Sequence, residues 1–228
     1  MKEVPDAAAP KRLDPSTHRL DRSVDGALND FDTHALEAMR RALAMGADRV
    51  LLVTDAAAAG SDLVATSAVL AKALEREGAD LILFGQQAGD SDGAVLWAAV
   101  ADRLRLPLIS QAASLSLDGG KAKAKRQTEY GYDVLEASLP AVVAVSDAIN
   151  EPRYPSLKGI MGAKKKPQET VSLGDLGVEA DAAGDAGSRT EVLATSDPPP
   201  RGDTERIEDE DGSSAERILA FLAERKLI

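Results

Sequence analysis

The chain has 228 residues, of which 44% are hydrophobic and 29% are charged, and its formal net charge is -11. This length and composition predict a soluble, folded protein with one sizeable core. The negative charge argues against nucleic-acid binding, which needs a basic face to displace counterions from phosphates. The absence of cysteine excludes disulfides, thiolate catalysis and cysteine-bound metal or iron–sulfur sites within this chain.

The chain also lacks membrane and export signals. No apolar run reaches the roughly 20 residues of a membrane-spanning helix. The start, MKEVPDAAAP, does not have the apolar stretch of a signal peptide. We therefore expect no membrane insertion and a cytoplasmic location.

Residues 49–111 alternate short apolar runs with longer helical patterns, which predicts a βαβαβ arrangement. The runs LLV and LILF are continuous, as is typical of parallel strands covered by helices on both faces. Ser61 or Asp62 is placed to cap the intervening helix ahead of Leu63, and Gly78 is placed to end it.

The pattern changes from residue 112. Alternating residues turn at Asp118-Gly119-Gly120, which predicts a hairpin, and PAVVAVSD then predicts a buried strand. Residues 150–167 place prolines and glycines around a few large apolar residues, which predicts an ordered loop rather than a helix.

The last part of the chain has a different composition. Residues 170–213 are rich in Asp, Gly, Ser and Pro, which predicts a linker or arm without a core of its own. The final segment spaces Ile218, Leu219 and Leu222 at helical intervals, together with Phe221, and predicts an amphipathic helix. The domains are therefore predicted at 1–169, an α/β domain, and at 170–228, an extended arm that ends in a helix.

The stretch FGQQAGDSDGAV, which begins at Phe84, joins a predicted strand to a predicted helix. Ligands of open α/β sheets bind beyond the carboxyl ends of the strands, where a helix N-terminus offers N–H groups and a positive dipole end. Three glycines allow close backbone approach to a ligand, and two glutamines offer hydrogen bonds to a base or sugar. This stretch is a candidate nucleotide site.

The same stretch has two other interpretations. Asp90, Ser91 and Asp92 could simply form the turn and cap the next helix. Alternatively, Asp90 and Asp92 could bind magnesium through their carboxylates, although two carboxylates in one turn are usually just solvated.

Other residues give weaker signals. His18 and His34 have no nucleophile motif and no metal-spaced partner, so surface or structural roles are favoured and no catalytic residue is predicted. Trp97, on a helix that is apolar nearly all round, is favoured as a core residue. The basic run at 164–166 is either a solvated loop end or part of a docking site. The apolar residues just before it would either tuck into the core or be presented to a partner.

Several stretches together resemble the β subunit of electron transfer flavoproteins. They are GALNDFDTHALEAMRRALAMGADR, DLILFGQQAGDSDG and LPAVVAVSDAINEPRYPSLKGIMGAKKKP, and the likeness continues through DPPPR to the C-terminal helix. The resemblance covers nearly the whole chain. It implies a Rossmann-like, parallel-sheet domain of the adenine nucleotide α-hydrolase-like type, in three layers, with an added β-hairpin region and the C-terminal arm.

The resemblance also implies a function. In that family the β subunit is an electron-carrier subunit, not an enzyme. It buries AMP and, as a heterodimer with an α subunit, helps to hold one FAD. The complex takes electrons from acyl-CoA or other dehydrogenases, as in fatty acid oxidation, and passes them to an acceptor quinone oxidoreductase. The C-terminal helix is expected to pack on the partner subunit.

Residue roles follow from the same resemblance. Phe31 matches the residue that approaches the flavin from the β side, and Leu157 matches the anchor that enters an apolar pocket of a partner dehydrogenase. The expected cofactor-binding residues are Asn29, Asp30, Phe31, Asp32, Gly85, Gln86, Gln87, Ala88, Gly89, Asp90, Ser91, Asp92, Gly93, Ala94 and Val95. The expected docking residues, in a recognition loop at about 150–167, are Tyr154, Leu157, Ile160, Met161, Lys164, Lys165 and Lys166.

The chain departs from the family pattern at two places. Family members usually have a hydrophobic strand before VPD, where this chain has only MKE. They also have a strand between two helices after the NDFD motif, where this chain runs directly through HALEAMRRALAMG. Both missing pieces would add strands to the parallel sheet. Two explanations stay open: the numbering omits segments of a longer natural chain, or the chain is truncated, with unpaired strand edges and an incomplete nucleotide site.

Two alternative functions stay open at this stage. One is an adenine-nucleotide-binding regulatory module that has no flavin. The other is an electron-bifurcating carrier, which binds a second FAD in place of AMP.

Overall fold

The computed structural model describes residues 12–13, 20–21, 39–88, 93–194, 196, 209 and 212–228. The chain divides into two compact units, with the boundary between Leu193 and Ala194. The elements of the first unit, in chain order, are β1 (Arg12–Leu13), β2 (Leu20–Asp21), α1 (described over residues 39–45), β3 (Val50–Val53), α2 (Leu63–Glu77), β4 (Leu81–Gly85), α3 (Leu96–Leu104), β5 (Leu108–Asp118), β6 (Lys121–Thr128), β7 (Gly131–Ser138), β8 (Ala141–Val145), α4 (Leu157–Ala163), β9 (Gln168–Val171) and α5 (Gly184–Gly187).

The main sheet has five strands in the order β4-β8-β5-β6-β7. Strands β4, β8 and β5 run parallel, whereas β5, β6 and β7 form an antiparallel meander. The predicted βαβαβ order and the hairpin at Gly119 and Gly120 are both confirmed. The predicted fold class, a parallel α/β sheet with an added hairpin region, is confirmed as well.

Strand β8 is the most deeply buried strand of the sheet. Residues 141–144 of this strand are all fully buried, as expected for a parallel strand with both neighbours in place. On one face, Val142 packs with Ile82 of β4 and Ala101 of α3. On the other face, Val143 packs with Ile109 of β5 and Ala124 of β6.

The parallel strands β3 and β4 belong to two separate sheets. Strand β3 pairs with β9, from Val50 opposite Gln168 to Val53 opposite Val171, and within the described part of the chain β3 and β4 do not pair with each other. The expectation that both faces of these strands are covered is wrong for β4, because Leu83 is 57% exposed. Among the described residues, the sheet is therefore interrupted next to β4.

Helix α2 begins and ends as its sequence predicts. Asp62 is the N-cap residue and accepts a hydrogen bond from the Ala65 N–H at 2.9 Å, while Gly78 ends the helix in the left-handed conformation. Helix α2 packs against α3 through Arg103, whose Nε donates to the buried Ser67 hydroxyl at 2.8 Å. Arg103 Nη2 also donates to the main-chain oxygen of Val64 at 3.1 Å, so Arg103 forms two hydrogen bonds between the helices in addition to their apolar packing.

The first compact unit extends beyond residue 169, the predicted domain boundary, to Leu193. Leu173, Val178 and Ala183 are buried against Val69 of α2, so this stretch contributes to the core of the first unit. Backbone hydrogen bonds also tie it down, because the N–H of Gly184 donates to Ser61 Oγ at 2.7 Å and that of Arg189 donates to Asp62 Oδ2 at 2.7 Å. The Asp- and Gly-rich composition of this stretch did not indicate these contacts, because they involve only a few apolar residues and many backbone groups.

The second unit contains helix α6 (Ser214–Glu224), which confirms the predicted C-terminal helix. Ser214 donates hydrogen bonds to the Asp209 carboxylate from its hydroxyl and from its N–H, and these bonds lower the pKa of Asp209. At the other end, the Arg225 guanidinium lies 3.7 Å from the centre of the Phe221 ring. Among the helices of the described residues, none has the length and apolar character needed to cross a membrane.

We expect Asp62→Ala to lower the free energy of unfolding by about 1 kcal/mol at neutral pH, because it removes the N-cap of α2. Burial raises the pKa of the Asp62 carboxyl, but hydrogen bonds from the N–H groups of Ala65 and Arg189 outweigh burial and lower it overall. A lowered pKa means that the stabilisation is present above the ordinary pKa of about 3.9 and is lost as pH falls through the folded-state pKa.

Urea unfolding of the wild type and of Asp62→Ala at a series of pH values measures this difference. Asp80→Ala, a change at an exposed position before β4, is the control. An Asp62→Ala penalty that does not shrink in acid would contradict the assigned role of the charged carboxylate.

Candidate functional site

The chain segments that form the two predicted sites follow strand residues that pair with each other. Gly85, the last residue of β4, lies opposite Val145, the last residue of β8, and the two strands are parallel. The chain after Gly85 forms the candidate nucleotide turn. The chain after Val145 leads to the predicted docking segment, which is the recognition loop at about 150–167. Both segments therefore begin at the carboxyl edge of the sheet, where ligands of α/β proteins bind.

The start of the nucleotide turn is fixed by the only tryptophan of the chain. Trp97 Nε1 donates a hydrogen bond to the main-chain oxygen of Gln86 at 3.0 Å, which ties the start of the turn to the first turn of α3. Trp97 was predicted as a core residue, and it is half-buried with this additional bond. The turn residues Gln87 and Gly93 are exposed, whereas Ala88 is half-buried.

The N-terminus of α3 is open among the described residues. Its N-cap position is Val95, which makes no side-chain capping hydrogen bond, and Ala94 just before it has a positive φ of 47°. The alternative interpretation, that Asp90, Ser91 and Asp92 cap this helix, concerns residues outside the described ranges and stays a prediction. A helix start without a side-chain cap presents N–H groups and a positive dipole end, which suits the phosphate of a nucleotide.

The neighbouring helix does not offer the same opportunity. An ideal Cβ on Gly93 would lie 3.6 Å from Leu63 Cδ1, so the turn reaches the first residue of α2. The N-terminus of α2 is already occupied, because Asp62 accepts hydrogen bonds there from Ala65 and Arg189. An anion at this edge of the sheet would thus meet α3 rather than α2.

The backbone at Gly85 is accessible. An ideal Cβ built on Gly85 would meet nothing within 4 Å, and the residue is exposed. A ligand can therefore approach the main chain closely at this position. The open α3 N-terminus and the accessible Gly85 backbone both fit an adenine nucleotide.

Part of the predicted cofactor set lies outside the described residues. Gly89, Asp90, Ser91 and Asp92 are outside them, and so are Asn29, Asp30, Phe31 and Asp32. The histidines at 18 and 34 are outside them as well. Within the described ranges, no group of three or more His, Asp or Glu side chains is placed to hold a metal ion.

The predicted docking loop contains a short helix, so the expectation of an ordered loop rather than a helix is wrong. Helix α4 starts after Ser156, whose hydroxyl accepts a hydrogen bond from the Gly159 N–H at 3.0 Å. Seven residues with two glycines give no helical sequence signal, and the serine cap was the one available indication.

Helix α4 directs its large apolar side chains to solvent. Leu157 is 73% exposed, Ile160 52% and Met161 63%, and Tyr154 before the helix is 94% exposed. Within α4 only Ala163 is buried. Apolar residues concentrated in this way on a short segment are typical of a surface that binds a protein partner.

The three lysines after α4 differ in their surroundings. Lys164 and Lys165 are exposed, in agreement with a docking role. Lys166 instead donates hydrogen bonds from Nζ to the main-chain oxygens of Leu43 at 2.9 Å and Ala47 at 2.5 Å. The Lys166 ammonium therefore binds main-chain oxygens of this chain rather than pointing to solvent. Three consecutive lysines in the sequence do not indicate this difference.

A family model for the electron transfer flavoprotein domain matches residues 33–176 of this chain. The electron transfer flavoprotein subunit beta of Mycobacterium leprae is 35% identical, and the match covers 100% of this chain and 97% of the relative. A caffeyl-CoA reductase-Etf complex subunit, CarD, of Acetobacterium woodii is 35% identical over 90% of this chain and 89% of its own length. The subunit beta of Megasphaera elsdenii is 33% identical over 100% of this chain.

The length of these alignments agrees with the missing segments. The match to the Mycobacterium leprae protein runs over 260 positions, 32 more than the 228 residues of this chain. The relative therefore has residues without a counterpart here. The family model and the full-length relatives agree with the fold and with the quoted motifs, and the chain belongs to the electron transfer flavoprotein β-subunit family.

Proposed function

We propose that this chain is the β subunit of a heterodimeric electron transfer flavoprotein that acts as an electron carrier rather than as an enzyme. In this proposal it binds AMP at the turn between β4 and α3. It completes an FAD site with an α subunit, and it docks through α4 on acyl-CoA or other dehydrogenases. The electrons then pass to an acceptor quinone oxidoreductase.

The observation that carries the nucleotide part is the open N-terminus of α3 beside the exposed Gly85 backbone. Helix N–H groups would hold the AMP phosphate, and the adjacent main chain would approach the ribose or base. The FAD expectation rests on family membership, because Phe31 and its neighbours lie outside the described residues.

A second candidate is an FAD in place of AMP at the same turn. The relative from Acetobacterium woodii is by name part of a caffeyl-CoA reductase-Etf complex. This relationship keeps the electron-bifurcating type as an alternative for this chain. A regulatory module that binds an adenine nucleotide without flavin is the third candidate.

The first test identifies the small molecules that are released when the heterodimer, co-expressed with its α partner, is denatured. We expect one AMP and one FAD per heterodimer by mass spectrometry. Two FAD would establish the bifurcating type, AMP without flavin would establish the regulatory module, and no adenine compound would contradict all three.

The variant Gly85→Ala tests whether AMP binds at this turn, through its affinity for AMP. The added Cβ has free space in the protein, so the fold should be kept, but it would stand where a ligand approaches the backbone. We expect about tenfold weaker AMP binding, equivalent to about 1.4 kcal/mol. Gly162→Ala, which also has free space around its Cβ, is the control.

The docking role predicts the effect of Leu157→Ala. Burying one leucine in a partner contributes about 1.5 to 3 kcal/mol, so the KM of a dehydrogenase for the heterodimer should rise at least tenfold. Flavin content should be unchanged. Leu117→Ala, a similar change at an exposed leucine of the hairpin, should leave KM unchanged.

Loss of flavin from Leu157→Ala would refute the docking role, because it would show that the leucine supports the cofactor site instead. An unchanged KM would refute it as well.

Helix α6 is proposed to bind the α subunit. Ile218 and Leu219 are more than half exposed, and Leu222 lies one helical turn beyond Ile218. We expect the double change Ile218→Ser and Leu222→Ser to weaken heterodimer association at least tenfold, because two apolar contacts are lost. The measurement is the dissociation constant of the two subunits.

The control replaces Glu216 and Ala220 with serine, two exposed residues one helical turn apart on the side of α6 opposite Ile218 and Leu222. If both double variants associate equally well with the α subunit, α6 does not bind it.

A further inference from the structure

The docking segment contacts the C-terminal end of α1, residues 43–47, which we call the α1 terminus. The last carbonyl oxygens of any α-helix lack intrahelical partners. Lys166 Nζ supplies hydrogen bonds to two oxygens at this end, those of Leu43 and Ala47. A lysine ammonium is also favoured there because the helix dipole places partial negative charge at a C-terminus.

A second contact comes from within α4. An ideal Cβ on Gly159 would lie 2.3 Å from the main-chain oxygen of Ala44, a distance that real Cβ atoms do not adopt. Helix α4 can therefore pack its backbone directly on the α1 terminus only because residue 159 is glycine. The other glycine of α4, Gly162, has nothing within 4 Å of an ideal Cβ.

A third contact comes from the start of the docking segment. Gly46 in the α1 terminus has a φ of 124°, and an ideal Cβ on it would lie 3.3 Å from Arg153 Nη2. The guanidinium of Arg153 is thus next to the same helix end. Residues before, within and after α4 all reach the α1 terminus.

Helix α4 needs such external support. Isolated helices shorter than about 12 residues are unstable in water, and α4 has 7 residues. Most of its large apolar side chains are exposed, so burial of its own core cannot hold it in place. Backbone packing and one lysine hold α4 instead, and its apolar side chains stay available.

We propose that Gly159 and Lys166 are positioning residues, which fix α4 on the α1 terminus in the orientation that presents Leu157, Ile160 and Met161 to a dehydrogenase. This inference rests on the proposed docking function and assigns no contact with the partner to Lys166. Lys166 belongs to the support of the docking surface, whereas Lys164 and Lys165 remain on its exposed side.

The test uses pairs of variants in the co-expressed heterodimer. Gly159→Ala is compared with Gly162→Ala, which is the same change three residues later with free space around the Cβ. Lys166→Met is compared with Lys123→Met, which removes the same charge from an exposed lysine of β6, outside the docking segment. Lys166→Arg retains a donor for the two carbonyl oxygens and should restore most of the function.

Two measurements are made on each variant. Hydrogen exchange of the amides of residues 160–163 reports how firmly α4 is held, without any partner. We expect about tenfold faster exchange in Gly159→Ala and Lys166→Met, but not in their controls. The KM of the dehydrogenase for the heterodimer should rise about five- to tenfold in the same two variants, with kcat and flavin content unchanged.

The outcomes separate this inference from the docking function itself. If Leu157→Ala raises KM but Gly159→Ala and Lys166→Met behave like their controls, the positioning role is overturned. A second outcome is faster exchange in α4 while neither Leu157→Ala nor Gly159→Ala changes KM. This outcome overturns the docking function, and with it the proposal that Gly159 and Lys166 position α4 for a dehydrogenase.

Discussion

The pairing of β4 with β8 is the interaction on which both candidate sites depend. Strand β8 is buried over residues 141–144, and its parallel register brings Gly85 opposite Val145. Because side chains on both faces of β8 are packed, a slip by one residue would move each side chain to the opposite face and disturb the packing around Val142 and Val143. The nucleotide turn and the docking segment therefore start from fixed points on one edge of the sheet. After Val145, the buried Ser146 donates its N–H to the main-chain oxygen of Ala112 at 3.0 Å. This bond fixes the backbone by one more residue toward the docking segment.

The parallel strands fall into two sheet pieces within the described part of the chain. Strand β3 is paired with β9 and β4 with β8, and each has no second neighbour among the described residues. The two sheet pieces are still connected through α2, where Arg76 forms an ion pair with Glu169 of β9 and Glu77 forms one with Arg49. These exposed pairs contribute little to stability compared with strand pairing. The packing of α2 on Leu173 and Val178 is the stronger link.

Local sequence signals predicted the parts of the fold that depend on nearby residues. The Asp62 cap, the Gly78 end, the glycine turn at 119–120 and helix α6 each follow from side-chain periodicity or turn chemistry within a few positions. Strand β9 and helix α4 could not be predicted in this way. Their partners, β3 and the α1 terminus, lie more than 100 residues away in sequence. The role of Gly159 depends on the position of one carbonyl oxygen, which no local pattern encodes.

A carrier that serves several partners needs a docking surface that is ordered before binding and not used for its own folding. Ordering a flexible segment on binding would cost affinity for every partner. Burying Leu157 or Met161 to hold α4 would remove the contacts that are proposed for a dehydrogenase. In this chain the two requirements are separated, because backbone contact at Gly159 and the ammonium of Lys166 hold the helix while the apolar side chains remain exposed. The arrangement combines a preorganised surface with a small apolar contact, which favours recognition together with rapid release.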